Sequence, residues 1–117
     1  MKTHKDLDVW KKSIVLVTSI YELIKAFPND ELFGLINQIR RCAVSVPSNI
    51  AEGAARDSSK EFAWYLSISL GSLAELEKQL IISQNLKYAT DAEIERIIDE
   101  LIVIRKMTVG LKKSLKF

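Results

Sequence analysis

The sequence has one cysteine, Cys42, and one histidine, His4. A single cysteine cannot form an intrachain disulfide, and one cysteine with one histidine cannot supply the four ligands of a structural zinc site. A di-metal helix bundle needs Glu-x-x-His on two helices, which one histidine cannot provide. No Gly-rich phosphate loop occurs. We therefore expect no metal, no cofactor and no catalytic residue, with Cys42 acting as a small apolar residue.

Long apolar runs are also missing. The longest, such as residues 101–104, fall far short of the roughly 20 residues that a membrane-spanning helix needs. The N-terminus lacks the apolar core of a signal peptide. These absences predict a soluble cytoplasmic protein without a membrane partner. With 117 residues and 48% hydrophobic residues, the chain fits one folded domain spanning residues 1–117.

Apolar residues recur at helical spacing in four segments. The first is predicted to start near Asp6 or Asp8, with either carboxylate as N-cap, and to end before Pro28. The third opens on a Ser58-x-x-Glu61 capping box and runs to near Leu86. The fourth opens on the capping box Thr90-x-x-Glu93 and runs to roughly Lys113.

The second segment contains a proline. It is predicted to start at Asn29 and to continue to about Arg56, with Pro47 inside it. Because proline removes one backbone hydrogen bond, we expect a continuous helix kinked at Pro47. The alternative is two helices, the second opened by a capping box of Asn49 and Glu52. No segment shows strand and hairpin signals, so the fold class is all-α, an up-down-up-down four-helix bundle.

Two adjacent arginines, Arg40 and Arg41, have no acidic residue three or four positions away. Their counter-charge could be a carboxylate of the third helix or of a neighbouring subunit, or a bound phosphate. The third-helix candidates are Glu61, Glu75 and Glu77. Basic residues near the C-terminus also lack acids at helical spacing: Arg105, Lys106, Lys112, Lys113 and Lys116. They indicate either a solvated helix end or a surface that faces nucleic acid.

The chain has more apolar surface than one bundle core can hide. Trp64, with Ile68 and Gly71, lies off the main apolar stripe of the third segment, and Trp10 belongs to a first helix with two apolar stripes. We therefore predict self-association, with Trp10, Trp64 and Ile68 as candidate interface residues. The aromatic residues do not interleave with basic ones along the sequence, so base stacking is not indicated.

The central part of the chain carries an extended motif. It includes the runs Phe27-Pro28, Phe33-Gly34-Leu35, Gln38-Ile39-Arg40-Arg41, Val44-Ser45-Val46-Pro47-Ser48-Asn49-Ile50-Ala51-Glu52-Gly53 and Ser58-x-Lys60-Glu61-Phe62. The match continues in Asp6-Leu7-x-Val9-Trp10-Lys11 and in Gly71-Ser72-Leu73-x-Glu75-Leu76-Glu77-x-Gln79-Leu80. This pattern closely resembles the bacterial four-helix-bundle family named for proteins encoded in 23S rRNA intervening sequences.

The resemblance implies a second helix that runs through the proline, a ring-shaped homopentamer and no known enzymatic activity. A relative of the family, the accessory variability determinant of diversity-generating retroelements, is a basic pentamer that binds nucleic acid and a reverse transcriptase. The family motif includes Ser45, Pro47, Ser48, Asn49, Glu52 and Gly53, and by similarity Arg40, Arg41, Arg56 and Lys60.

Two functional hypotheses follow. The first is a non-enzymatic homo-oligomer that binds RNA or DNA through its phosphates, with eight candidate residues: Arg40, Arg41, Arg56, Lys60, Arg105, Lys106, Lys112 and Lys113. The second is a protein-interaction or adaptor module in which these arginines are structural. Its partner would be a reverse transcriptase or another protein.

Overall fold

The computed structural model describes residues 3–117, with the side chain of Asp6 excepted. The described chain forms four α-helices: α1 (Asp8–Ile24), α2 (Asn37–Ala54), α3 (Ser59–Asn85) and α4 (Asp91–Ser114). A 3₁₀ turn at His4–Asp6 precedes α1, and residues 3–117 contain no β-strand. The all-α class is confirmed.

The four helices pack in a closed square. Each helix contacts the next one along the chain, and α4 packs back on α1. Twelve large side chains are fully buried between them, and burial of each stabilises the fold by about 1.5 to 3 kcal/mol. They are Leu16, Ile20, Ile39, Ile50, Leu66, Leu73, Leu76, Leu80, Ile94, Ile97, Leu101 and Ile104. This arrangement is the predicted up-down-up-down bundle.

The predicted N-cap of α1 is wrong. Leu7 occupies the N-cap position and makes no side-chain cap, and the side chain of Asp6 lies outside the described residues. Asp8 lies inside that turn instead, where its charge favours the positive end of the helix. The helix ends at Ile24, and the amide of Phe27 donates to the Ile24 carbonyl oxygen at 3.1 Å just before Pro28.

The predicted start of the second helix is also wrong. Residues 29–36 form a 3₁₀ turn, Asn29–Glu31, followed by a π turn, Leu32–Ile36, and α2 itself begins at Asn37. Gly34 has non-helical torsion angles, φ −108° and ψ −110°, and interrupts the helical path. The Glu31 side chain accepts a hydrogen bond from the Leu35 amide at 3.5 Å, which stabilises the turn. The acidic residues that resemble a helix start therefore build a compact corner.

The motif proline lies inside a continuous helix. α2 runs through Pro47, which is buried, so the two-helix alternative is wrong and the continuous helix is confirmed. The kink at Pro47 stays a prediction. The Ser69 hydroxyl of α3 donates to the Val46 carbonyl oxygen at 2.9 Å, next to the proline. This bond ties the two helices together where the α2 ladder loses one donor.

The starts of α3 and α4 are as predicted. Ser58 accepts from the Glu61 amide at 3.2 Å, but Glu61 does not return a bond to the Ser58 amide among the described residues, so the predicted capping box is half formed. Thr90 and Glu93 form a full capping box, in which each side chain accepts from the backbone amide of the other residue, at 3.1 Å in both cases. The hydrogen bonds from Thr90 hold the pKa of the Glu93 carboxyl below its ordinary value. Local sequence signals therefore determine both helix starts.

The corner between α1 and α2 is attached to the loop between α3 and α4. The Tyr88 hydroxyl donates to Glu31 Oε2 at 2.8 Å, and its ring packs against Phe27 with centroids 5.4 Å apart. The hydrogen bond to Glu31 is the main reason that the pKa of Tyr88 lies above its ordinary value, with desolvation second. This hydrogen bond, which we call the Tyr88–Glu31 tether, joins residues that are 57 positions apart in the sequence.

We expect this tether to weaken at alkaline pH. The folded-state pKa of Tyr88 lies above that of the unfolded chain, about 10, so the stability that it contributes is fully present below pH 10. It is lost as the pH rises through the folded-state pKa. Urea unfolding from pH 7 to 11 should show wild type more stable than Tyr88→Phe at neutral pH, with the difference shrinking above about pH 10. A difference that stays constant to pH 11 would contradict the prediction.

Candidate nucleic-acid interface

An open depression of about 450 Å³ lies between α1 and α2 and contains both motif arginines. We call it the arginine pocket. It is lined by Tyr21, Asn37, Arg40, Arg41, Val44, Ser45 and Ser48. The lining residues of α2 recur at helical spacing, so one mainly polar face of this helix lies along the pocket.

Arg40 is half-buried and lacks a counter-charge within residues 3–117. Its guanidinium carbon lies 5.7 Å from the centroid of the Tyr21 ring, and its Nε atom is buried without a hydrogen-bond partner. Arg41 is exposed and forms no ion pair in the described chain. A buried donor without an acceptor is costly unless a ligand or partner supplies one.

The third-helix carboxylates do not pair with these arginines. Glu75 pairs with Lys78 at 2.7 Å, and Glu77 pairs with Arg105 at 3.1 Å. Glu61 pairs with neither arginine in the described residues. The expectation of an intrachain partner on the third helix is therefore wrong, and a neighbouring subunit or a phosphate remains.

The floor of the pocket is a short polar network. The Asn49 side-chain amide donates to the Ser45 carbonyl oxygen at 2.8 Å and to Ser45 Oγ at 2.9 Å. Ser45 Oγ lies 2.8 Å from Ser72 Oγ on α3. A hydroxyl oxygen has two lone pairs, so Ser45 Oγ can accept from Asn49 while either serine donates the bond to the other. Ser48 is exposed at the edge and has no side-chain partner within residues 3–117.

The other motif residues join α2 to α3 rather than line the pocket. Gly53 is buried where α2 and α3 approach closely, since an added Cβ would lie 2.7 Å from Tyr65 Cβ. Glu52 accepts from Arg56 at 2.7 Å. The motif therefore combines an α2–α3 contact with one side of the arginine pocket.

A second group of candidates gathers at one end of the bundle, where α2 and α4 end and α3 begins. We call it the basic end, defined by Arg56, Lys60, Lys112 and Lys113. Lys60, Lys112 and Lys113 are exposed and form no ion pair in the part of the chain that is described. Near it lie further basic residues, Lys5, Lys11, Lys106 and Lys116, which together with the basic end outnumber the acids Asp8, Glu52, Asp57 and Glu61 there.

Arg56 has protein partners at this end. Besides Glu52, its guanidinium donates to the Tyr65 hydroxyl at 2.8 Å and lies 5.1 Å from the Tyr65 ring centroid. The pKa of Arg56 is raised above its ordinary value, mainly by Tyr65 and then by the hydrogen bond to Glu52. This arginine holds Tyr65 in place and is less available to a ligand than Lys60.

The opposite end of the bundle is acidic. It carries the end of α1, the corner before α2 and the start of α4, where the acids Glu22, Asp30, Glu31, Asp91, Glu93, Glu95 and Asp99 outnumber the basic residues Lys25, Lys87, Arg96 and the two arginines of the arginine pocket. The small net charge of +2 therefore conceals a separation of charge along a bundle about 45 Å long. The eight predicted basic residues do not form one surface, and Arg105 is engaged with Glu77.

The three predicted interface residues differ in exposure. Trp10 is half-buried against the core, with its ring 5.0 Å from that of His4. Trp64 is 57% exposed and Ile68 is 38% exposed. Sequence reasoning missed a further apolar surface between α1 and α4, where Val15 is 56% and Val103 is 45% exposed beside a cavity of about 210 Å³.

That α1–α4 surface also contains a carboxylate with an unmet hydrogen bond. Glu100 lines the cavity, accepts from the Ser19 hydroxyl at 3.4 Å through Oε1, and buries Oε2 without a partner. Lys12 lies at the same cavity. The surface thus combines apolar contacts with one unsatisfied acceptor.

Cys42 is half-buried and accepts a hydrogen bond from the Gln79 amide at 3.5 Å. Burial raises the pKa of its thiol, which disfavours the reactive thiolate. In the described residues, no three metal-ligating side chains cluster. None of the described helices is long and apolar enough to cross a membrane.

Comparison with known proteins supplies the family. The sequence profile described as "23S rRNA-intervening sequence protein" matches residues 5–110. The chain belongs to this family. A solved structure from Bacteroides thetaiotaomicron, described as a protein of unknown function from the S23 ribosomal protein family, superposes with a TM-score of 0.84 at 28% identity. The match covers 91% of this chain and 96% of that one. Comparison with curated proteins gave no match.

Membership in the intervening-sequence protein family confirms the resemblance deduced from the motif. The motif residues of this family member fall into the α2–α3 contact and the arginine pocket described above. The link to the retroelement determinant stays a prediction.

Proposed function

We propose that this intervening-sequence protein is a non-enzymatic homo-oligomer that binds nucleic acid through its phosphates. The observation that carries the proposal is the arginine pocket. Arg40 and Arg41 have no carboxylate partner within residues 3–117, and Arg40 Nε is buried without an acceptor. A phosphate supplies the acceptor oxygens that a guanidinium fork matches best.

The surroundings of the pocket suit a phosphate backbone. Tyr21 supports the Arg40 guanidinium, and Ser48 and Asn37 present exposed polar groups at the rim. None of these groups reads base edges in the manner of a recognition helix. The binding should therefore be tolerant of sequence and sensitive to salt.

Self-association is the second part of the proposal. The α1–α4 surface has two exposed valines around a cavity, and Glu100 there has an acceptor without a donor. Burial of this surface against a second copy would remove apolar area from water and bring a donor to Glu100. The family resemblance suggests five copies in a ring.

The nucleic-acid part is tested by fluorescence anisotropy with labelled generic RNA and DNA at 50 to about 200 mM salt. Arg41→Gln should weaken binding about fivefold to tenfold and reduce the salt slope by about 1. Arg96→Gln is the matched control, since Arg96 is an exposed arginine of α4 that does not line the arginine pocket. It should change the affinity less than about twofold. If wild type binds neither RNA nor DNA at low salt, the proposal is wrong.

The assembly part is tested by native mass spectrometry of the purified chain. We expect a pentamer for wild type and dissociation for Val15→Glu, because the new charge would be buried against the neighbouring copy. Ala92→Glu adds the same charge in the exposed first turn of α4 and should leave the assembly intact. A monomeric wild type at micromolar concentration would contradict self-association.

A further inference from the structure

A groove at the basic end brings together an aromatic side chain and two lysines that are distant in sequence. Its volume is about 420 Å³, and it is lined by Lys60, Glu61, Ala63, Trp64, Ser67 and Lys112. We call it the stacking groove. Lys60 and Trp64 belong to the first two turns of α3, whereas Lys112 belongs to the last turn of α4.

Trp64 is available to a ligand. Its side chain is 57% exposed, and the core-facing stripe of α3 does not include it. On its other side, its ring stacks against Tyr65, with centroids 6.3 Å apart and planes 27° apart. Arg56 in turn holds Tyr65 through a hydrogen bond and its guanidinium. The indole is therefore supported by the protein while a large part of it faces solvent.

The charges around Trp64 favour an anionic partner. Lys60 and Lys112 are exposed, and neither forms an ion pair within residues 3–117. Glu61 is the one acidic residue of the lining. The neighbouring Lys113 and Lys116 add positive charge, Glu52 is engaged by Arg56, and Asp57 in the loop before α3 is the other acid nearby. The local field at the groove is thus positive despite the near-neutral chain.

We infer that the stacking groove binds single-stranded nucleic acid, with one base stacked on Trp64 and flanking phosphates contacting Lys60 and Lys112. This inference rests on the proposed function and adds the form of nucleic acid that the protein prefers. A positive groove with an aromatic platform is the arrangement that binds single strands without sequence preference, because every base has a π-face. Paired bases of a duplex are stacked on one another and are not free to stack on the indole.

A second copy of the chain is the competing occupant of the groove. In a ring, a neighbouring copy would cover this groove with a different surface, and burial of Lys60 and Lys112 without carboxylate partners is unfavourable. The exposed valines between α1 and α4 form an apolar surface without this cluster of cations. The charges therefore favour nucleic acid over self-association at Trp64.

The test uses the full chain with Trp10→Phe, so that Trp64 is the one fluorophore of its kind. Oligouridylate and oligothymidylate should quench its emission, whereas duplex DNA of equal length should quench it much less. Trp64→Ala should weaken single-strand binding about 5-fold to 100-fold and leave duplex binding within twofold. Trp64→Phe should retain most of the affinity, since it keeps an aromatic face. The RNA and DNA arms show which single strand binds more tightly.

Charge is tested separately. Lys60→Gln with Lys112→Gln should lower the salt slope for single strands by about 2. Lys87→Gln removes an exposed lysine from the opposite end and should leave the slope unchanged. If the salt slope falls but the oligonucleotide still quenches Trp64, the stacking groove is supported. Base stacking and phosphate contacts contribute separately to the binding free energy.

Three results would overturn the inference. If the protein binds nucleic acid and Trp64→Ala weakens single strands and duplex equally or not at all, the stacking groove is wrong while the proposed function stands. If the emission of Trp64 in the free protein is blue-shifted and shielded from acrylamide, and Trp64→Ala dissociates the oligomer, a second copy covers the groove. If no nucleic acid binds at low salt, both proposals fail.

Discussion

Replacing Gly53 with alanine is expected to lower the free energy of unfolding by about 2 to 3 kcal/mol. The new Cβ would lie 2.7 Å from Tyr65 Cβ and 2.8 Å from Phe62 Cδ1, with the Phe62 carbonyl oxygen at 3.3 Å. The Tyr65 contact involves an atom fixed to the α3 backbone, so rotation of a side chain cannot relieve it. The two helices would have to separate, and chemical denaturation measures the loss.

Gly71 and Gly110 provide matched controls. A Cβ at either position meets no atom within 4 Å, and both residues lie inside helices. Alanine there should raise the free energy of unfolding by about 0.5 to 1 kcal/mol, because it restricts the unfolded chain. Gly53→Ala with the same small gain would contradict the close approach of α2 and α3. A loss at Gly71 alone would indicate that a second copy covers that face of α3.

Arg40→Met is expected to stabilise the free protein by about 1 kcal/mol and to weaken nucleic-acid binding. Methionine keeps the apolar contact with Tyr21 and removes a buried donor that has no acceptor. Replacement of buried charged groups by apolar residues of similar size is often stabilising. Urea unfolding without ligand measures the gain, and anisotropy with RNA measures the loss.

Arg41→Met is the control for this substitution. Arg41 is the exposed neighbour in the same pocket, so its replacement should change the stability by less than about 0.5 kcal/mol while also weakening binding. A loss of stability in Arg40→Met would show that Arg40 has an acceptor in the protein as it exists in solution. A partner subunit would then be the source of the counter-charge.

The features of the fold that can be predicted from the sequence depend mostly on residues close together in the chain. The capping pairs Ser58–Glu61 and Thr90–Glu93 place the starts of α3 and α4 because cap and backbone lie three residues apart. The corner at residues 29–36 could not be predicted in this way. Its acidic residues fit a helix start equally well, and the break at Gly34 and the Tyr88–Glu31 tether depend on tertiary packing.

The candidate site shows the same division. The absence of acids near Arg40 along the sequence matches their absence around it in the fold, because α3 uses Glu75 and Glu77 for other pairs. Arg105 also lacks an acid nearby in the sequence, but in the fold it donates to Glu77, which lies 28 positions away on α3. Lys112 meets Trp64 only through helix packing, so the aromatic and basic residues that do not interleave in sequence come together in space.

The separation of charge along the bundle has a consequence for the approach of a polyanion. Attraction to the basic end and repulsion from the acidic end act at long range, so they orient the protein relative to the polyanion before any contact forms. Encounter should therefore occur end-on and should speed up as salt is lowered, through the association rate more than the dissociation rate. In a ring of parallel copies, these ends would sum into one attractive rim and one repulsive rim. A strand would therefore meet the stacking groove first, and the arginine pocket, which begins in the first turn of α2 beside the acidic end, would be approached against that repulsion.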